Sequence, residues 1–371
     1  MTNDQTLRVL VVDDTIVYRK IVCDVLAELP GVEVVGVANN GKIAMSRIAS
    51  LKPDLLTLDI EMPEMNGIEV LEHIKTEAPD VGAIMLSTLT QEGGEMTIRA
   101  LQLGAFDFIP KPQGGTMEEN KKAVRNALSR LVKAFARRRE ISNILREQIS
   151  TTQPRGKDLL REQALGVQHM KGAMRPKRTK SEVVAIGVST GGPNALSRML
   201  PKLPPDLGAP VLVVQHMPPI FTQSLAKSLN SKCAIEVAEA VDGQPLSNNV
   251  ALIAPGGKQM KVVAGADGKS RIVRITDDPP ENSCKPSADY LFRSVAHHFV
   301  GRATGVIMTG MGSDGTLGLK LMKRNGATVI AQDEATCVVY GMPKAVVDSG
   351  IADVVVPLDR ISEEILKTVR N

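Results

Sequence analysis

At 371 residues the chain exceeds what one hydrophobic core usually serves, and 43% hydrophobic with 23% charged residues excludes general disorder, so two globular domains are expected. The net charge of +4 at pH 7 is concentrated in one segment, and six Phe, three Tyr and no Trp argue against aromatic stacking on single-stranded nucleic acid, so no nucleic-acid partner is expected. The opening MTNDQTLRVLVVDD fits neither a signal peptide nor a membrane span, and Cys23, Cys233, Cys284 and Cys337 lack CxxC spacing; a cytoplasmic protein, not membrane-embedded, with reduced thiols and no cysteine metal site is the expectation.

From Leu7 to Ile109 short apolar runs alternate with helical patterns. Leu7-Val12, Val32-Val37, Leu55-Asp59, Ala83-Ser87 and Phe106-Ile109 read as five strands of a parallel α/β domain. A helical pattern follows from about Met117 to Leu145 and turns basic at Arg137-Arg138-Arg139. Thr151 to Lys180 has few large apolar residues and many Lys and Arg, a composition that builds no core; it reads as a solvated tether, with a docking site for an acidic partner as the alternative. A second α/β region has strands at Val183-Val188, Val211-Val214, Val250-Ile253, Gly305-Met308 and Ala327-Ala331. The division predicted is 1–125, a helical, basic linker at 126–180, and a doubly wound, mostly parallel domain at 181–371.

In a parallel sheet functional residues collect at the carboxyl ends of the strands, where Asp13, Asp14 and Asp59 stand. Three converging carboxylates repel one another, and a hard divalent cation such as Mg²⁺ would relieve them and screen a carboxylate attacking a phosphoryl group. Ser87 ends the fourth strand and Lys111 follows the fifth, offering a hydroxyl and a cation to phosphate oxygens. These residues, as VVDD at Val11-Asp14, DIEMPEMNG at Asp59-Gly67, Ser87 and GAFDFIPKP at Gly104-Pro112, resemble a response-regulator receiver domain, a flavodoxin-like fold. The resemblance implies that Asp59 accepts a phosphoryl group from a sensor kinase. It also implies that Asp13, Asp14, Asp59 and the carbonyl of Glu61 hold Mg²⁺, that Ser87 and Lys111 sense the phosphoryl group, and that Phe108 occupies the aromatic switch position.

In the second region Val183-Val188 runs into Ser189-Thr190-Gly191-Gly192-Pro193, with a helix expected from about Asn194. Gly187-x-Ser189-x-Gly191 meets the nucleophile-elbow pattern, in which small flanking residues allow a turn that exposes a hydroxyl beside free helix amides. A serine needs a base, and the base needs an acid to orient it. His216 follows the next strand and Asp314 lies in GMGSDG beyond another, so three strand ends can supply Ser, His and Asp. Their chain order differs from the Ser-Asp-His of α/β-hydrolases. The other histidines are poorer bases by position: His73 lies in the first domain, His169 in the linker and His297-His298 on a helix. Amides near Thr190 and from Met311 to Ser313 are candidates for an oxyanion hole.

Rival readings remain at this point. Gly187 to Gly192 has P-loop glycine spacing, but Pro193 stands where the lysine belongs. Gly310-x-Gly312-x-x-Gly315 with Asp333 after the next strand is a dinucleotide pattern, although Asp314 would face the pyrophosphate with like charge. A catalytically silent binding or transcription module is the third.

IGVSTGGP at Ile186-Pro193, QHMP at Gln215-Pro218, APGG at Ala254-Gly257, KPSADYLFRSVA at Lys285-Ala296, GVIMTGMGSDG at Gly305-Gly315 and AQDEATCVVYGMPKAV at Ala331-Val346 resemble the chemotaxis protein-glutamate methylesterases, the CheB family. Gln259 departs from the histidine often found there. The resemblance implies demethylation of glutamate γ-methyl esters, and deamidation of glutamines, on methyl-accepting chemoreceptors by Ser189, His216 and Asp314, with no cofactor for the hydrolysis. A chemotaxis histidine kinase is the implied phosphodonor, and phosphorylation of Asp59 is expected to uncover a catalytic cleft that the receiver otherwise blocks.

Overall fold

The computed structural model describes residues 6–151 and 179–370. They fall into two units, divided after Thr151, each with its own sheet. Residues 152–178 of the predicted linker, His169 among them, lie outside the described residues.

The first unit has five parallel strands: β1 (Leu7–Val12), β2 (Val32–Ala38), β3 (Leu55–Asp59), β4 (Gly82–Ser87) and β5 (Asp107–Pro110), in the order β2-β1-β3-β4-β5. Helices α1 (Ile16–Ala27), α2 (Gly41–Leu51), α3 (Gly67–Glu77) and α4 (Gln91–Leu103) make the crossovers. β3 is buried along its whole length, as a strand covered on both faces must be. The start of α3 is set by a capping box: the Asn66 side chain accepts from the amides of Ile68 and Glu69, and Glu69 accepts from the Asn66 amide.

Helix α5 (Met117–Thr151) continues well beyond residue 125. Val124, Leu128, Leu131, Val132 and Phe135 are buried on one of its faces, and Phe135 meets Phe106 edge to face at 5.3 Å. The boundary placed at 125 therefore falls inside a helix whose apolar stripe completes the first core. The basic composition around Arg137 masked this stripe in the sequence.

The second unit contains β6 (Val183–Val188), β7 (Val211–Gln215), β8 (Glu236–Glu239), β9 (Val250–Ile253), β12 (Ala303–Ile307), β13 (Thr328–Gln332) and β14 (Val354–Val356), all parallel, in the order β14-β13-β12-β6-β7-β9-β8. An antiparallel hairpin, β10 (Gln259–Ala264) and β11 (Arg271–Thr276), stands apart from this sheet. Helices α6 (Gly192–Met199), α7 (Phe221–Asn230), α8 (Ala288–His298), α9 (Thr316–Arg324), α10 (Met342–Asp348) and α11 (Leu358–Arg370) complete the unit. Phe292 of α8 and Leu319 and Met322 of α9 share a core with Ile307 of β12. The chain runs to one side from β6 to β7 and to the other from β12 to β13, so the sheet's reversal point lies between β6 and β12.

The Phe135 ring also lies against Gly82 of β4, where a Cβ would meet it at 2.2 Å, so truncating it removes both the ring pair and this contact. Phe135→Ala is expected to destabilise the first unit by about 3 kcal/mol, read from its denaturant transition in the full chain, while the second unit's transition stays in place.

Candidate functional site

In the second unit the chain leaves β6 at Ser189, whose amide donates to the Thr309 carbonyl at 3.0 Å, while the His216 amide donates to Val188 O at 3.2 Å. The serine backbone is thereby held between the ends of β12 and β7. Gly191 has φ +77 and caps α6, which begins at Gly192, two residues earlier than the sequence suggests. Gly310 passes so close to Ser189 that a Cβ there would lie 2.8 Å from the serine Cβ. Thr190 is buried and its carbonyl accepts from the Thr309 hydroxyl at 2.9 Å, while Met311 follows Gly310 on the neighbouring loop.

His216 Nε2 lies 2.8 Å from Asp314 Oδ2. Asp314 is 2% exposed, and its carboxylate is saturated with donors. Oδ1 accepts from the Ser287 hydroxyl at 2.8 Å, Asn282 Nδ2 at 3.1 Å and the Asp289 amide at 3.2 Å; Oδ2 also accepts from the Ala288 amide at 2.7 Å. The amides belong to the first turn of α8, where free N–H groups and the helix dipole favour an anion. Burial works against this charge, but the bonds from His216, Ala288 and Ser287 outweigh it and hold Asp314 at about 2. Burial likewise disfavours the imidazolium of His216, yet Asp314 and the nearby Cys284 sulfur raise it to about 9.

Several supporting groups carry weak sequence signals. Gln215 Nε2 donates to the carbonyls of Ser189 and His216, joining two site residues through their backbones. The Thr309 hydroxyl accepts from the amides of Val338 and Val339. Gln259, fully buried, accepts from the Ser287 amide and donates to the carbonyls of Pro279 and Cys284. It thus pins the segment that delivers Ser287. Only Ser287 has a readable signature, a serine immediately before a helical run, and its hydroxyl does accept from the Tyr290 amide. The dinucleotide pattern loses its basis here. Asp314 is turned onto α8 and His216, and Asp333 accepts from the amide and hydroxyl of Thr336.

In the first unit Asp13 and Asp59 are buried at the β1/β3 reversal of the sheet and Asp14 is exposed; their carboxylate oxygens lie within 4.8 Å of one another. Lys111 Nζ reaches both Asp13 Oδ2 at 2.8 Å and Asp59 Oδ2 at 2.6 Å, leaving Asp59 Oδ1 buried without a hydrogen-bond partner. Burial and the Asp13 charge raise Asp59 to about 7, Lys111 offsetting them in part. An orphaned oxygen among three convergent carboxylates fits a hard cation. The Ser87 hydroxyl is turned to α4, donating to Gly93 O and accepting from Thr97, so it does not bond Asp59 here. Phe108 is buried on β5, and Glu61, two residues past Asp59, accepts from the Thr88 hydroxyl through its side chain.

A five-stranded parallel sheet with an acidic pocket and a second parallel sheet with serine, histidine and aspartate at one edge define a two-domain α/β protein of the receiver-plus-effector class. Residues 9–125 match the response regulator receiver domain family and residues 184–365 the CheB methylesterase family. A protein from Desulfotalea psychrophila named protein-glutamate methylesterase/protein-glutamine glutaminase is 57% identical over 368 residues, covering 99% of both chains. One of the same name from Bacillus subtilis is 43% identical over 98% of this chain and 99% of its own. The crystal structure of the Thermotoga maritima CheB methylesterase catalytic domain is 40% identical, covering 51% of this chain and 99% of that one, with a TM-score of 0.49. The chain belongs to the protein-glutamate methylesterase/protein-glutamine glutaminase family.

Asp314, ordinarily near 3.8, binds fewer protons when folded, so the stability it contributes is present above pH 3.8 and lost as pH falls toward about 2. His216, ordinarily near 6.5, binds more, so its contribution is present below 6.5 and lost as pH rises toward about 9. Asp314→Asn is therefore expected to lower the second unit's melting temperature most between pH 3.8 and 6.5, with the gap from the parent closing at either end, as calorimetry across pH will read. For Asp59 the sign reverses. In metal-free buffer the first unit should lose stability as pH climbs from 3.8 to about 7, and denaturant titrations of Asp59→Asn should lack that fall.

Proposed function

We propose that the second unit hydrolyses glutamate γ-methyl esters and glutamine side-chain amides of chemoreceptor cytoplasmic segments, and that phosphorylation of Asp59 activates it. The observation that carries this reading is the 2.8 Å contact of His216 Nε2 with a saturated, ionised Asp314 at the sheet edge where Ser189 leaves β6. An ionised carboxylate only accepts, so Nε2 keeps its proton and Nδ1 carries the base lone pair when the ring is neutral.

The serine hydroxyl adds to the γ-carbonyl carbon while Nδ1 takes its proton. The imidazolium, stabilised by Asp314, returns that proton to the departing methoxide or amide, releasing methanol or ammonia and leaving an acyl-serine. Water then adds under the same base, the serine oxygen leaves with the proton, and glutamate is freed. The amides of Thr190 and Met311 are the proposed donors to the oxyanion. No cofactor enters these steps.

In the first unit Asp13, Asp14, Asp59 and the Glu61 carbonyl are the proposed holders of Mg²⁺, which when bound would neutralise charge during phosphoryl transfer. Lys111, freed from Asp59 Oδ2, would pair with a phosphoryl oxygen; Ser87 would turn toward the same group and Phe108 follow it inward. Activation is then a population shift between a blocked and an open arrangement. A chemotaxis histidine kinase is the proposed donor and the cytoplasm the proposed compartment. Among the described residues no helix is long and apolar enough to cross a membrane.

Methanol release from methylated receptor membranes tests both parts. The expected result is release by the full chain that rises with Mg²⁺ and a small phosphodonor, does not rise in Asp59→Asn, and drops by about 10⁴-fold or more in Ser189→Ala. Release that survives Ser189→Ala would overturn the nucleophile.

A further inference from the structure

Cys284 takes no part in the proposed hydrolysis, yet its Sγ stands 3.7 Å from His216 Nδ1, the ring nitrogen that Asp314 leaves free. His216, Cys284 and Asp314 present donor atoms within 4.8 Å of one another, one of two such clusters among the described residues. Asp314 has no spare lone pair, since His216, Ser287, Asn282 and the amides of Ala288 and Asp289 occupy both oxygens. What remains is a sulfur and an imidazole nitrogen, the donor set of soft and borderline cations and not of Mg²⁺.

The separation matters. A tetrahedral zinc ion with bonds of about 2.3 Å to sulfur and about 2.0 Å to nitrogen spans an S···N gap of roughly 3.5 Å, so the pair already stands near bridging distance. The other ring nitrogen is bonded to a buried carboxylate, the arrangement that orients a histidine ligand and raises its basicity. Cys284 is partly exposed, which leaves an entry route, and its backbone is held: its amide and carbonyl pair with Glu281, and the carbonyl also accepts from buried Gln259. Spacing along the chain does not pair this residue with His216, which lies 68 positions away.

We infer that Cys284 Sγ and His216 Nδ1 form a site for a thiophilic d¹⁰ cation such as Zn²⁺, with water completing the shell, and that its occupation reversibly blocks hydrolysis. Binding displaces the thiol proton, and the Nδ1 proton where the ring is imidazolium, both passing to solvent, and it occupies the lone pair that Ser189 needs; no oxidation is involved. The regulatory half of the inference rests on His216 being the general base. The binding half does not.

The test uses Cd²⁺ as spectroscopic probe and Zn²⁺ as inhibitor of the full chain. Oxygen ligands of the first unit give no thiolate-to-cadmium charge-transfer band, so the ultraviolet band reports sulfur alone. Expected are a band saturating at one equivalent that persists when Cys23, Cys233 and Cys337 are all serine and is lost in Cys284→Ser, and zinc inhibition reversed by a chelator. Relative to each protein's own metal-free rate, Cys284→Ser should need at least about tenfold more zinc for half inhibition. Absence of a band, a band that survives Cys284→Ser, or equal zinc sensitivity in both proteins overturns the inference. Ester hydrolysis without a band leaves the hydrolase standing and removes the metal site; a Cys284-dependent band without any hydrolysis does the reverse.

Discussion

The second unit is organised around one buried anion. The Asp314 carboxylate ties the loop after β12 to the first turn of α8, to Asn282 on the preceding segment and to His216 beyond β7. A lone buried carboxylate is costly, and its ionisation is tolerated only because every lone pair meets a donor and a helix N-terminus faces it. Remove those donors and the histidine loses the partner that sets its tautomer, so the same bonds support the fold and the proposed chemistry.

Asp59 is the counter-example within the same chain. It is as buried as Asp314, but its neighbours are carboxylates and a single lysine shared with Asp13, so it keeps its proton to about 7 where Asp314 loses it at about 2. The difference lies in donors. One aspartate sits where backbone amides have no other partner; the other sits where strand ends bring like charges together. Both stand where a parallel sheet reverses direction, because there the connections diverge and leave a crevice above the strand ends.

Strands buried on both faces were legible because runs rich in Val, Leu and Ile have no alternative home: β1, β3, β6 and β9 have the bounds that the sequence predicts. β8, β14 and the β10–β11 hairpin were not read. EVAE and VVV are edge strands of four and three residues, too short to stand out, and the hairpin mixes polar with apolar residues, so none carries a long apolar run. The extension of α5 was legible as a helix but not as core, since Phe135 and Val132 are spaced among arginines and lysines.

Chemistry-bearing residues that end strands, Ser189, His216 and Asp59 among them, could be placed from sequence because a strand's end dictates which edge its next residue occupies. Asp314 lies further out, in the loop between β12 and α9. What sequence could not give was the company these groups keep. Asn282, Ser287, Gln215 and Cys284 reach the site across separations of 26 to 68 residues, or through a loop whose direction depends on the hairpin that carries Gln259. Periodicity and motif spacing act over about a dozen residues; donor saturation, proton affinity and the pairing of a thiol with an imidazole are set by packing between segments distant in the chain, and only the tertiary structure decided them.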